Sequence, residues 1–180
     1  MNDRLFPFLL ALTLLDLAFV HATGVVGDLS LLPLWALAGA APWLRRLQMV
    51  RGCRVTWNTV VLLVFALLVH HATTTGLLYM LEDGLLLAVL CQVHLLNNVG
   101  ERQRPDLVFF NSFLVAFVTS FFAPDLGWSL LFVAHAFVFV PALQTNVLTR
   151  RGTPPRDVMP ILLRESIGRT VTIGVLTAAV

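Results

Sequence analysis

Six long apolar runs, parted by short polar segments, set the pattern of this chain. They cover residues 5–20 (reaching towards 26), 29–44, 55–72, 82–98, 107–122 and 126–148. Most are near the roughly 20 residues that carry a helix across a hydrocarbon layer. Each must be helical there, because lipid offers no partner to an unpaired backbone group. The pattern predicts an all-α polytopic membrane bundle, one integral domain over residues 1–180, with six full spans. The second is short and bracketed by Pro33 and Pro42. Glu82-Asp83 suits the start of the fourth helix, since carboxylates complement its partial positive end. Asp125, after Pro124, suits the N-cap of the sixth.

The last stretch differs. Residues 159–169 mix apolar side chains with Arg164, Glu165 and Arg169, which suits a surface-lying amphipathic start. From Thr170 to Val180 the chain is uncharged, but eleven residues are too few to cross a bilayer. We read this stretch as the entering half of a seventh helix, with Arg164 and Arg169 at the inner interface and further residues beyond Val180. The first run imitates a signal peptide, with Arg4 before it and Val20-His21-Ala22 as a small-residue site. We read it as a retained first span and signal anchor.

Charge sets the orientation. The chain has no lysine, and apart from Arg4 its arginines fall in clusters. Arg45, Arg46, Arg51 and Arg54 form one, Arg102 and Arg104 a second, and Arg150, Arg151 and Arg156 a third. The intervening segments, residues 70–81 among them, lack arginine. By the positive-inside rule the N-terminus and the arginine loops face the cytoplasm of a bacterial inner membrane. Trp43, Trp57 and Trp128 fit the interfacial aromatic belt. Hydrophobic residues make up 58% of the chain and charged residues 12%, too apolar for a soluble fold of this size. Because topology accounts for the basic residues, nucleic acid is excluded as a partner. The bilayer and other membrane polypeptides remain. Cys53 and Cys91 offer neither a disulfide framework nor metal-ligand spacing.

Polar side chains inside spans are expensive and so are candidates for function. Asp16 lies in the outer half of the first span and His135 near the middle of the sixth. Asn111 and Ser112 are in the fifth, Gln144 is late in the sixth, and His94 is in the inner half of the fourth, near Gln92 and Cys91. Asp16 and His135 could form a buried hydrogen-bonded pair or a step in a proton path. The plainer reading makes Asp16, Asn111, His135 and Gln144 structural, each bonded to a neighbouring helix. His94 and His135 are the candidates for contacting a haem or pigment, but their depths differ, so no bis-histidine site is expected. His21 with His70-His71 forms an external cluster that could hold a metal. We expect no bound metal and no cofactor.

Enzyme motifs are absent: no glycine-rich phosphate loop, no G-x-S-x-G and no H-E-x-x-H. Cys91 and His94 share a helical face, but a thiol at that depth has no cation to stabilise a thiolate. The chain is therefore expected not to be an enzyme by itself.

From the fourth span the layout grows familiar. Leu81-Glu82-Asp83-Gly84-Leu85-Leu86-Leu87-Ala88 opens an apolar run that ends in Asn97-Asn98. Gly100-Glu101-Arg102-Gln103-Arg104-Pro105-Asp106 follows, then Phe109-Phe110-Asn111-Ser112-Phe113-Leu114 and Ser120-Phe121-Phe122. This order and spacing resembles the N-terminal membrane domain of bacterial transglutaminase-like proteins of the TgpA type, along nearly the whole chain. The resemblance implies a bundle of about seven spans that precedes an extracytoplasmic transglutaminase-like domain. The family's catalytic Cys, His and Asp belong to that domain, so no residue of this chain inherits a catalytic role. Where the family has a Lys-Leu-Leu-Glu-like stretch, this chain has His94-Leu95-Leu96-Asn97, and both charges are replaced. Two functions follow as expectations: a membrane anchor and scaffold for an external domain, or a stand-alone accessory subunit of a larger membrane complex, one handling electrons or pigments. A small transporter is disfavoured, since no broken-helix pair or internal repeat marks a substrate site.

Overall fold

A computed structural model describes residues 5–48, 50–98, 105–122, 125–150 and Gly168. Among them the elements are all helical: α1 (Phe6–Thr23), α2 (Asp28–Gly39), α3 (Ala41–Leu47), α4 (Arg51–Thr75), α5 (Leu77–Asn97), α6 (Asp106–Thr119) and α7 (Leu126–Arg150). Four of these regions are long and apolar enough to cross a membrane: Phe6–Thr23, Arg51–Thr75, Tyr79–Asn97 and Leu126–Arg150. The expected partial seventh span at residues 159–180 and the arginine loop at 102–104 lie outside the described residues.

Several boundaries differ from expectation, for local reasons. Residues 29–44 do not form one unbroken helix. The helix breaks at Ala40 and restarts as α3, with a proline in its first turn. Pro42 has no N–H to continue the ladder from α2, whereas the first turn of a new helix needs none there. The expected basic loop at 45–54 is mostly helix: only residues 48–50 part α3 from α4, and Cys53 sits exposed in the first turn of α4. The arginine-free segment 70–81 is likewise helical, except at Gly76. There φ is +103°, a conformation open to glycine and strained for an L side chain, and the chain reverses within one residue. The fourth span thus begins at Leu77, and Glu82 and Asp83 lie inside it rather than at its start. Asp125 behaves as expected. Its Oδ1 accepts a 2.7 Å bond from the Trp128 backbone N–H, which caps α7.

Contacts between helix ends show how the bundle is assembled. The Arg45 guanidinium lies 4.9 Å above the Phe6 ring, joining the end of α3 to the start of α1. Asn98 donates to Asn58 at 3.1 Å, joining the end of α5 to the early part of α4. Arg150 donates to Asp106, joining the end of α7 to the start of α6. The arginine-bearing ends therefore gather at one end of the bundle, and successive long helices run in alternate directions. α1 is central, packed against α2, α5, α6 and α7.

The core is two apolar clusters. One contains Leu9, Leu12, Leu96, Val108 and Phe109; the other contains Leu17, Phe19, Val20, Val89, Val93 and Val115. α4 stands apart, with no buried residue. It meets α5 through a half-buried seam of Trp57, Val61, Leu68 and Ala72, at coiled-coil-like spacing.

Candidate functional site

The boundary between the two apolar clusters is polar. On α1 it falls between Leu12 and Leu17 and holds Thr13 and Asp16. On α6 it falls between Phe109 and Val115 and holds Ser112. α7 brings His135 to the same level. The Ser112 hydroxyl donates to Asp16 Oδ1 at 2.8 Å and lies 2.8 Å from His135 Nε2. His135 Nε2 is 3.7 Å from the same carboxylate oxygen. The two residues singled out as a pair are therefore joined mainly through a third. Asp16 and Ser112 are fully buried and His135 is nearly so.

Proton positions follow from valence. Ser112 has one proton; when it goes to Asp16, the hydroxyl must accept from His135 Nε2–H. The imidazole then carries its proton on Nε2. Asp16 Oδ2 is buried and has no bonding partner among the described residues. The order of links is Asp–Ser–His, with serine in the middle. A hydrolytic triad needs histidine there, poised to take the serine proton, so this arrangement is not a nucleophile site.

Asn111, one residue earlier on α6, faces α5. Its amide donates to the Ala88 carbonyl at 3.0 Å and to Gln92 Oε1 at 2.8 Å. Gln92 Nε2 and Asn97 Oδ1 are buried without partners among the described residues. Gln144 is half-buried on α7, towards the arginine end and away from Asp16.

His94 and His135 are not brought together. His94 stacks on Trp57 with centroids 6.3 Å apart and contacts the Asn98 amide, at the arginine end. Nor do the external histidines converge on one another. His21 Nδ1 lies 3.3 Å from Asp28, and His71 Nδ1 lies 2.7 Å from Asp83. Among the described residues no three His, Cys, Asp or Glu side chains cluster to hold a metal.

Reading Asp83 as a helix-start residue hides the His71–Asp83 contact. A signal existed: the two flank Gly76 at distances that a helical hairpin turning there brings face to face.

A cavity of about 460 Å³ lies between α6 and α7. α6 supplies Phe113, Phe117 and Ser120, while α7 supplies Trp128, Phe132, His135 and Phe139. The buried triad thus meets an aromatic chamber through the histidine ring. Comparison with family models, curated proteins and solved structures finds no match to this chain.

Proposed function

We propose that this chain is a non-catalytic membrane anchor and scaffold in the bacterial inner membrane. It crosses six times, with its N-terminus and arginine-bearing ends in the cytoplasm, and presents α4 to a second membrane-spanning polypeptide. The observation that carries this reading is the isolation of α4. Among the described residues this helix of 25 residues packs chiefly on one neighbour, along a single seam, and leaves most of its circumference open, with Leu62, Leu63 and Leu67 each at least 60% exposed. The TgpA-type resemblance supplies the cargo, an extracytoplasmic transglutaminase-like domain.

Six crossings are compatible with the shorter helices. α2 and α3 together cover residues 28–47, and α6 with its final turn covers 106–122. At about 1.5 Å per residue these reach roughly 25–30 Å, enough for the hydrocarbon core with slight local thinning.

A photo-crosslinking residue placed at Leu63 or Leu67, in the chain as expressed in its own membrane, tests the scaffold. We expect one polypeptide adduct of the same mass from both positions and none from Phe110 on α6, which is 66% exposed. Lipid adducts alone at all three positions would refute docking through α4.

A second reading, an accessory subunit of an electron- or pigment-handling complex, is favoured by the cavity beside His135.

A further inference from the structure

We propose that the chamber between α6 and α7 binds the ring of a membrane-soluble quinone or quinol, with His135 Nδ1 as its hydrogen-bonding contact. This goes beyond the scaffold reading and does not depend on it.

The walls suit a flat ring. On α6, Phe113 and Phe117 are stacked with planes 14° apart and centroids 6.4 Å apart. On α7, Trp128 and Phe132 are 20° apart at 5.3 Å, and His135 and Phe139 are 27° apart at 5.4 Å. Two ladders of aromatic planes therefore border one space. Rings stacked within a ladder face one another, and edge-on contacts from such rings to the face of a planar guest are favourable. The volume, about 460 Å³, falls within the range of roughly 300–1,000 Å³ typical of small-molecule sites. The site runs along the second half of α6 and from the first turn to the middle of α7, and its lining is almost wholly apolar, so its guest must be lipid-soluble.

The polar contact narrows the class. His135 is the one titratable side chain on this wall. Its Nε2 is committed to Ser112, which leaves Nδ1 for a guest. With the Ser112 proton on Asp16, Nε2 carries hydrogen and Nδ1 accepts a bond, as from a hydroxyl. With one further proton in the chain, carried by Asp16, Asp16 donates to Ser112 and Ser112 to Nε2, so Nδ1 carries hydrogen and donates, as to a carbonyl. A quinol and its quinone present those two groups at the same ring position. An alkyl chain presents neither, and has no use for a fully buried carboxylate two bonds behind the wall. The proposal concerns binding alone.

The test uses the intact chain in lipid nanodiscs, with an azido-substituted quinone as photoprobe and decylubiquinone or decylubiquinol as competitor. We expect labelling within residues 113–140, protected by either competitor and not by palmitate. His135→Leu should weaken competitor binding tenfold or more. Ala136→Trp, which fills the chamber and leaves the triad intact, should abolish protectable labelling while the thermal midpoint stays within a few degrees. Phe110→Ala, on the same helix but outside the lining of the chamber, should bind normally. Labelling that palmitate displaces equally well would show an unspecific lipid crevice. Labelling spread over α4, or unaffected by Ala136→Trp, would place any quinone contact elsewhere. Either result overturns the proposal.

Discussion

Ser112 has one proton and two neighbours that need it as a partner. Removing its hydroxyl strands Asp16 Oδ1 and His135 Nε2 together in the buried centre of the bundle. Thr119, on the same helix, bonds only to carbonyls of its own preceding turn and weakly to Trp128. The two positions separate interhelical from local bonding. An interhelical hydrogen bond in a membrane averages about 0.6 kcal/mol and reaches about 1.7. Ser112→Ala should therefore lower stability by about 1–2 kcal/mol, and Thr119→Ala by well under half as much. Detergent-titrated unfolding of both variants measures this, and an equal loss at the two sites would mean that the triad does not tie α1, α6 and α7 together. Asp16 and His135 stood out in the sequence because ionisable groups at that depth need a reason to be there. Ser112 drew less notice, because a serine in an apolar run is common and bonds to its own helix at little cost.

At the scale of elements, the turns carry more information than the spans. α4 and α5 are joined through Gly76 alone, at φ +103°, and a Cβ there would meet nothing within 4 Å. Any penalty for Gly76→Ala is thus conformational and not steric, of the order of 1–3 kcal/mol. Gly84 is also open but helical, so Gly84→Ala should be neutral or stabilising by about 0.5–1 kcal/mol. Opposite signs in the shift of thermal midpoint are expected, and a loss at Gly84 as large as that at Gly76 would count against a hinge at this position. The same comparison shows why the runs were legible and their ends were not. Lipid demands long apolar stretches, so the stretches are visible. By contrast, the threonines at 73–75 bond back to the carbonyls of His70 and His71 and let α4 continue through a segment that looks like a loop. Nor could the meeting of Asp16, Ser112 and His135 be read in advance. A helix that is apolar all round has no preferred face, so its rotation is set by neighbours whose order periodicity does not reveal.

At the scale of the whole molecule, one asymmetry organises everything else: which end of the bundle holds the arginines. Arg45 and Arg46 at the end of α3, Arg51 and Arg54 at the start of α4, and Arg150 at the end of α7 are drawn together by the Phe6, Asn58–Asn98 and Asp106 contacts. The opposite end carries His21, Asp28, His71, Asp83 and Asp125, with no arginine among its described residues. Arginines retained on one side during insertion give this division without any further device. On the proposed topology the helices are alternating crossings, and α4, entering from the arginine end, emerges at Thr75 on the far side. In a variant freed of Cys53 and Cys91, a cysteine introduced by Thr74→Cys should react with a membrane-impermeant maleimide added to intact cells. One introduced by Gln48→Cys or Gln103→Cys should react only after the membrane is opened. The reverse pattern would invert the bundle and put the proposed cargo domain on the wrong side. Labelling of Gln48→Cys and Thr74→Cys from the same side would mean that α4 does not cross at all, and would remove the basis for docking a second spanning polypeptide against it.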